Sequence, residues 1–369
     1  MRSNEQLERF ASFTEAVRDA LGEFGGAKEL SPDEAAKQGC LSTLRSLHRR
    51  GRAELTVGLC ASAAEGGQLK VLQWLRENEC PWDEETCAYA ARGGHLGMLQ
   101  WARANGCPWD EFTCAEAAWR GHLEILKWAR TNGCPWNERT CSGAALGGQI
   151  EVLKWLRENG CPWDEETCWA AAKGGHLELL KWARENGCPW DEKTCKEAAE
   201  GGHLEVLQWA HENGCPWDSR TCENAAEGGH LEVLKWARAN GCPWDEDTII
   251  AAANKDRAEI CVWATRNGCP INRRAVKAML ALVERIPDKS ERLSIGKAIR
   301  KALCDTVQLW QGDLLRDIVG TEGIRLSPKA LLVRIKGFFM EIGMTRKQVE
   351  EILRKLWLQV PIVEDSYQL

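Results

Sequence analysis

Apolar and polar positions follow a helical spacing along most of the chain. Over residues 204–213, Val206, Leu207 and Trp209 fall on one arc of an α-helix, and charged and amide side chains fall on the opposite arc. Residues 192–200 show the same division, with small side chains on the apolar arc. The pattern therefore predicts two short amphipathic helices, over 192–200 and 204–213.

Capping residues stand at the ends of both predicted helices. Asp191 precedes the first helix, where its carboxylate can accept from free backbone amides. Gly201 and Gly202 follow that helix, and glycine readily adopts the left-handed conformation that ends a helix. Gly214 ends the second helix, and Pro216 blocks its continuation. These signals predict a helical hairpin with tight turns.

The helical hairpin recurs with a period of 27 residues. A Cys-Pro dipeptide marks each step, and it stands at Cys80, Cys107, Cys134, Cys161, Cys188, Cys215, Cys242 and Cys269. An Ala-Ala pair in each first helix counts nine units, of which the first and the last depart most from the pattern. A constant period of this kind is typical of stacked units that each pack on their neighbours.

The sequence thus predicts an all-α fold, an α-solenoid of stacked helical hairpins. We expect an N-terminal helical cap over residues 1–34, a repeat array over 35–272 and a C-terminal helical region over 273–369. In that last region helices are expected over 275–285, 290–310, 312–318, 328–339 and 345–358. A small helical bundle that caps the array is one interpretation of the region, and a second partner site is the other.

Composition excludes several classes of protein. The chain is 44% hydrophobic, its net charge is −6, and it contains no run of 18 apolar residues that could cross a membrane. Charged residues throughout its first 21 positions are unlike a signal peptide. We therefore expect a monomer in the cytoplasm, with the nucleus as the alternative, and no binding to membranes. The modest, mixed charge of the C-terminal region gives no sign of nucleic-acid binding.

Cysteine and histidine recur in every unit and invite a zinc interpretation. Cys188, Cys195 and His203 represent the set. Structural zinc ligands commonly stand two to four residues apart, unlike this spacing, and in other units Gln149 and Ile249 replace a potential ligand. We therefore expect reduced, buried thiols and no metal or cofactor. The histidines are expected to bond backbone at the turns, and the second-helix tryptophans, Trp74 to Trp263, to form a core ladder.

The unit resembles the ankyrin repeat. Gly229-His-Leu-Glu-Val-Leu-Lys235, preceded by Ala225-Ala226, is similar to the ankyrin signature Ala-Ala-x-x-Gly-His-x-Glu-Val-Val-Lys, and the resemblance extends from Ala35 to Pro270. It is strongest to a short Cys-Pro-Trp-Asp variant found in unicellular algae, oomycetes and large DNA viruses. An ankyrin unit has about 33 residues. The missing residues fall where ankyrin units carry a β-hairpin, so we expect stacked helical pairs without that hairpin.

The resemblance implies a non-catalytic scaffold that binds a partner protein on its first helices, which line the concave face of ankyrin proteins. Residues that differ between the copies are free to contact a partner, and large aromatic side chains are favoured at interfaces. The candidate partner-binding residues are Tyr89, Arg92, Phe112, Trp119, Arg139 and Trp169.

Two other functions remain open from the sequence. In the first, the chain is an adaptor or effector whose C-terminal helices recruit cellular machinery to a target that the array holds. In the second, the chain is an enzyme. No nucleophile with its base, phosphate-binding loop or dinucleotide motif is present in the sequence. We therefore expect no catalytic residues and no small-molecule substrate.

Overall fold

The structure, a computed structural model, describes residues 30–305 and Gly337, and within them the chain forms twenty helices and no β-strand. The predicted all-α fold without β-hairpins is confirmed. The predicted helices over 312–318, 328–339 and 345–358, and most of the predicted N-terminal cap, lie outside the described residues. The chain divides into two compact units, residues 1–189 and 190–369.

The described part of unit 1 consists of six helical hairpins. Their helices are α1 (Pro32–Gln38), α2 (Leu41–Arg49), α3 (Val57–Glu65), α4 (Leu69–Glu77), α5 (Glu84–Arg92), α6 (Leu96–Ala104), α7 (Glu111–Trp119), α8 (Leu123–Thr131), α9 (Glu138–Leu146), α10 (Ile150–Glu158), α11 (Glu165–Lys173) and α12 (Leu177–Glu185). Each first helix packs against the next first helix and against the second helix of its own hairpin. The unit is therefore a stack of hairpins, as the repeat predicts.

The described part of unit 2 continues the same pattern with three hairpins and two longer helices. The helices are α13 (Glu192–Glu200), α14 (Leu204–Glu212), α15 (Ser219–Gly228), α16 (Leu231–Ala239), α17 (Glu246–Asn254), α18 (Ala258–Arg266), α19 (Arg273–Arg285) and α20 (Lys289–Asp305). The hairpins of the two units together make nine, the number that the Ala-Ala pairs predict.

Helices α19 and α20 pack in the manner of a further hairpin although the sequence repeat has ended. Helix α19 lies against α17, as α17 lies against α15 and α15 against α13 within the same unit, and α20 lies against α18. Asn272 caps α19 by accepting from the backbone amide of Ala275 at 2.9 Å. Helix α19 therefore begins two residues before the predicted start, and the stacking of helices extends beyond the last Cys-Pro.

The first helix of every described hairpin begins at a side-chain cap, except α3, where Thr56 makes no such bond. The Asp191 carboxylate accepts from the backbone amide of Lys193 at 3.1 Å, as predicted, and Asp83 and Asp110 do the same for α5 and α7. Such a cap satisfies one of the four free amides at a helix start and contributes about 1 kcal/mol. The repeated Trp-Asp or Trp-Asn therefore fixes where each first helix starts.

Glycine supplies the left-handed turn between the two helices of most hairpins, and Asp256 adopts it in the last, with a φ of 61°. Gly94 has a positive φ of 78° and supplies the left-handed turn between α5 and α6. A Cβ atom at this position would also lie 2.7 Å from the His122 ring of the next hairpin. Backbone conformation and close packing therefore both exclude a larger residue.

The second helix ends in a compact turn that leaves no room for strands. The Asn105 side-chain amide donates to the Trp101 carbonyl at 2.8 Å, and the Cys107 backbone amide donates to the Ala102 carbonyl at 3.0 Å. Pro108 follows, and the next first helix begins at Glu111.

Leucine, alanine and cysteine form the core of each hairpin. Leu126 of α8 and Leu234 of α16 are fully buried, as are the Ala-Ala pairs and nearly all the repeat cysteines. Burying one leucine stabilises the fold by about 2 kcal/mol. Small side chains let the first helices approach closely, so that a Cβ atom at Gly143 would lie 2.8 Å from the Ala115 carbonyl oxygen.

The prediction that the second-helix tryptophans fill the core is wrong for all but one of them. Trp74 is 9% exposed and counts as buried, whereas the others are only half-buried. Each of these half-buried tryptophans lies edge-to-face with the tryptophan of a Cys-Pro-Trp turn, as in the pair Trp82–Trp101 with ring centroids 6.0 Å apart. The Arg76 guanidinium covers Trp82 at 4.2 Å. The core between alanine pairs is too narrow for an indole, so the rings form a ladder at its edge.

Candidate functional site

Five of the six predicted partner-binding residues lie on three first helices that pack side by side. Tyr89 and Arg92 lie on α5, Phe112 and Trp119 on α7, and Arg139 on α9. Helix α7 packs against both α5 and α9, so these positions share one surface. We call these five residues, with Arg120, the aromatic–arginine surface.

Trp119 is held between two arginines. The Arg92 guanidinium lies 4.7 Å from the centre of its ring and that of Arg120 lies 4.1 Å away. Arg92 also reaches the Tyr89 ring at 5.9 Å. Each cation–π contact of this kind is worth about 0.5–1 kcal/mol at an exposed site. The contacts hold flexible arginine side chains in place and so reduce the entropy lost when a partner binds.

Arg120 belongs to this surface but is not among the residues predicted from the sequence. It stands where other hairpins carry the first glycine of the Gly-Gly turn, as at Gly93. This departure from the repeat could have identified Arg120 from the sequence. Gly147 lets the end of α9 approach Trp119 closely, because a Cβ atom at this position would lie 1.9 Å from the Trp119 carbonyl oxygen.

Phe112 is the most exposed aromatic ring of the surface. Its side chain is 43% exposed, and the Arg139 guanidinium lies 5.2 Å from the ring centre. Leu146, at the end of α9, is a further large apolar residue on a first helix, and it is 36% exposed. Exposed apolar side chains on two adjacent helices, α7 and α9, give the surface an area that a partner could cover.

Carboxylates and two aromatic rings line a pocket of about 190 Å³ beside Phe112. The rings are those of Tyr89 and Phe112, and the carboxylates are those of Glu84, Glu85, Asp110 and Glu116. Burial raises the pKa of the Asp110 carboxyl, although its hydrogen bond to the Phe112 amide opposes the rise. Burial likewise raises the pKa of Glu116, and Arg92 and Arg120 oppose that rise only in part. The pocket therefore groups four carboxyls, two of them partly desolvated, and no arginine is among the residues that line it.

Trp169 is the one candidate on the next first helix, α11, which packs against α9. It is half-buried on α11, and its indole Nε1 has no hydrogen-bond partner within the described residues. No ring or cation–π contact links it to the aromatic–arginine surface in that part of the chain. Its role in binding stays a prediction.

The repeated histidines bond to backbone carbonyl oxygens, as predicted, and those carbonyls belong to the preceding hairpin. Within unit 1, His95 Nε2 lies 3.2 Å from the Glu65 carbonyl oxygen, and His122 Nε2 lies 3.1 Å from that of Arg92. In hairpins that carry glutamine instead, the Gln149 amide donates to the Gly147 carbonyl at 2.9 Å. Among the described residues, no three cysteine, histidine or acidic side chains gather in a group that could hold a metal ion.

The first helices of unit 2 carry a different set of side chains. Glu223, Glu227 and Asp247 line a pocket of about 390 Å³ on α15 and α17. Burial raises the pKa of Glu223, and the nearby carboxylates of Asp247, Asp245 and Glu227 add to the rise. Lys255 and Arg274 also line this pocket and pair with Glu227 and Asp247, and its lining contains no aromatic residue.

Comparison with known proteins identifies the repeat. Residues 168–211 and 195–238 match the family model described as ankyrin repeats (many copies). The predicted ankyrin-repeat-like protein is thereby confirmed, while its assignment to the short Cys-Pro-Trp-Asp variant stays a prediction. Ankyrin repeats are generally protein–protein interaction modules. None of the described helices has both the length and the apolar composition that a bilayer crossing requires.

More distant similarities come from solved structures, and no curated protein matches the chain. The human ASB11 ankyrin repeat domain is 20% identical with a TM-score of 0.39, over 50% of this chain and 96% of that one. The maize pentatricopeptide repeat protein PPR10 is 15% identical with a TM-score of 0.34, over 94% of this chain and 63% of that one. Scores of this size carry no argument about fold or function.

Proposed function

We propose that this ankyrin-repeat-like protein is a non-enzymatic scaffold that binds a partner protein on the aromatic–arginine surface of unit 1. The observation that carries the proposal is the 43% exposure of Phe112 beside a charged pocket on an otherwise regular repeat. Aromatic and arginine side chains are enriched among the residues that dominate binding energy. Trp169 extends the proposed surface onto α11. The scaffold is proposed to act as a monomer in the cytoplasm, with the nucleus as the alternative.

The pocket indicates which side chain of the partner it accepts. Four carboxyl groups line the pocket, and burial raises the pKa of two of them, Asp110 and Glu116. Such a pocket favours a positively charged group from the partner. The rings of Tyr89 and Phe112 would contact the aliphatic stem or the cationic head of a lysine or arginine. We therefore propose that the partner presents a basic side chain to the pocket and a flat apolar group to Trp119.

Peptide selection tests this proposal and requires no identified partner. A library of random peptides is selected on the wild-type chain, and the affinities of the recovered peptides are measured for variants whose folding is checked by circular dichroism. We expect recovered peptides to be rich in lysine or arginine and to bind Phe112→Ala at least tenfold more weakly, because the pocket loses a wall.

Lys193→Ala is the matched control, because Lys193 holds in α13 the place that Phe112 holds in α7. We expect it to bind as tightly as the wild type. Peptides without basic residues, or peptides that bind Phe112→Ala and the wild type equally well, would contradict the proposal.

A further inference from the structure

Pairs of buried cysteines lie in sulfur-to-sulfur contact inside the hairpins. The Cys60 thiol donates to the Cys80 sulfur with the two atoms 3.6 Å apart. In three further hairpins of unit 1 and two hairpins of unit 2, interaction with the corresponding thiol is the largest cause that raises the pKa of one cysteine. These pairs are Cys87–Cys107, Cys114–Cys134, Cys141–Cys161, Cys195–Cys215 and Cys222–Cys242. We call these six the hairpin cysteine pairs.

A second hydrogen bond fixes one sulfur of each pair. The Cys107 thiol donates to the carbonyl oxygen of Asp83, the residue that caps the first helix of the same hairpin, at 3.4 Å. Cys80 makes this bond to Thr56 at 3.2 Å, and Cys215 makes it to Asp191 at 3.3 Å. The second sulfur of each pair is therefore held at one place relative to the first helix.

Burial keeps these thiols protonated while a hairpin is closed. The greatest exposure among the paired cysteines is 3%, at Cys215. The thiol–thiol hydrogen bond, followed by burial, raises the pKa of one member in pairs such as Cys87–Cys107, well above its usual range. Because the thiolate is the reactive form, a closed hairpin protects both cysteines. Reaction therefore requires that the hairpin opens, and reclosure returns the two sulfurs to contact.

We propose that the hairpin cysteine pairs are disulfide-forming sites, each of which links the two helices of one hairpin when a small-molecule disulfide such as oxidised glutathione is present. In an open hairpin, one cysteine loses its proton to solvent and attacks a sulfur of the oxidant. One glutathione thiolate leaves and takes up a proton. The second cysteine, also deprotonated, then attacks the protein sulfur of the mixed disulfide and expels the second glutathione. Two protein thiols become one disulfide, and the oxidant is reduced to two thiols.

The spacing of the cysteines along the chain distinguishes the proposed pairing from the pairing expected when an unfolded chain is oxidised. The second cysteine of one hairpin and the first of the next, such as Cys107 and Cys114, are much closer in sequence than Cys87 and Cys107 are. We call a disulfide between such neighbours a between-hairpin link. In an unfolded chain the shorter loop closes about fivefold more readily, because closure entropy grows with loop length. Only the hairpin structure favours the hairpin cysteine pairs over between-hairpin links.

The last repeat supplies an internal control. Cys269 donates to the Asp245 carbonyl at 3.1 Å, as its counterparts do, but Ile249 stands where the partner cysteine would be. Oxidation should therefore leave Cys269 without the partner that the first helix supplies in other hairpins. Cys261 on α18 is the other cysteine of this hairpin, and its thiol donates to the Ile249 carbonyl oxygen at 3.8 Å. Ile249→Cys should create a further pair that reacts with Cys269.

Disulfide mapping of the full chain tests the proposal. Reduced protein is incubated with oxidised glutathione in urea below the unfolding midpoint, alkylated, digested and analysed by mass spectrometry. A second sample is oxidised in concentrated guanidinium. We expect the first sample to contain the six hairpin cysteine pairs as disulfides, with Cys269 alkylated or joined to glutathione. The guanidinium sample should instead favour between-hairpin links.

Two variants sharpen the test. Cys87→Ala should remove the link to Cys107 and leave the other five pairs intact, and Ile249→Cys should add a link to Cys269. Thermal unfolding of oxidised wild type should occur several degrees higher than that of the reduced protein, and a reducing agent should reverse the shift. The proposal is overturned if the six pairs stay reduced, if both samples give the same links, or if folded Ile249→Cys gains none.

Discussion

In unit 1, helix α7 presents Phe112 and Trp119, and in unit 2, helix α13 presents Lys193 and Glu200 at the same two positions of the repeat. Both helices are nine residues long, both begin at an aspartate cap and both bury a Thr-Cys and an Ala-Ala pair. The backbone and the core are thus the same, and two outward positions differ in chemistry, although both helices keep a glutamate at Glu116 and Glu197. Residues that stack the hairpins are set by the repeat, whereas residues on the exposed arc of the first helix are free to vary.

This contrast separates stability from recognition. A substitution in the shared core should destabilise either unit to the same extent. A substitution on the exposed arc should have different consequences in the two units, because among the described first helices it is those of unit 1 that combine aromatic rings, stacked arginines and an acidic pocket.

The largest expected effect is on stability and is common to both units. Leu126 of α8 and Leu234 of α16 are fully buried at equivalent positions. Leu126→Ala and Leu234→Ala should each lower the free energy of unfolding by about 3 kcal/mol, because each leaves a cavity in a packed core. Urea unfolding followed by circular dichroism measures both. A loss below about 1 kcal/mol in one unit alone would show that the two cores are not equivalent.

A smaller effect is expected from the buried carboxyls. Burial raises the pKa of Glu116 in unit 1 and of Glu223 in unit 2 from an ordinary value near 4.5. A raised pKa means that the folded chain holds the proton more tightly than the unfolded chain, so the ionised carboxyl destabilises the fold at neutral pH.

Glu116→Gln and Glu223→Gln should therefore each stabilise the fold at pH 7, by a few tenths of a kcal/mol, after allowance for solvent screening. This advantage should shrink as the pH falls through the raised pKa and disappear below the ordinary value. Urea unfolding at a series of pH values checks the trend. An advantage that grows as the pH falls would contradict the assignment.

Arg120→Gly is expected to have the smallest effect on stability. The substitution restores the glycine that most other hairpins carry and removes one of the two cations on Trp119. The stability should change by less than about 1 kcal/mol, the size of one exposed cation–π contact. Binding of a selected peptide should nevertheless weaken, because Trp119 loses one of its supports. Unchanged binding would remove Arg120 from the aromatic–arginine surface.

Local rules predict most of the fold. The first helix over 192–200 forms as predicted, and the second, predicted over 204–213, ends at Glu212 with Asn213 as its cap. Caps, glycine turns and apolar arcs act within one hairpin, so the sequence of one repeat contains them. The predicted burial of the second-helix tryptophans is wrong because an apolar arc does not show how much space the neighbouring hairpin leaves for an indole ring.

The candidate site was predicted only in part, for a related reason. Tyr89 and Phe112 were found because they depart from the repeat, and Arg120 could have been found in the same way. The acidic pocket could not be predicted in this way. Glu84 and Glu116 repeat or nearly repeat in other hairpins, and they come together only because α5 packs on α7. Contacts between residues of neighbouring hairpins depend on packing that no single hairpin specifies.

The central claim is that binding depends on unit 1 residues that depart from the repeat, and titration calorimetry tests it most directly. One basic peptide selected on the wild type is titrated into the wild type, Phe112→Ala and Lys193→Ala under the same conditions. The account predicts that Phe112→Ala binds at least tenfold more weakly, a loss of about 1.4 kcal/mol or more, and that Lys193→Ala binds like the wild type. Equal affinities for all three folded proteins, or a loss confined to Lys193→Ala, would contradict it.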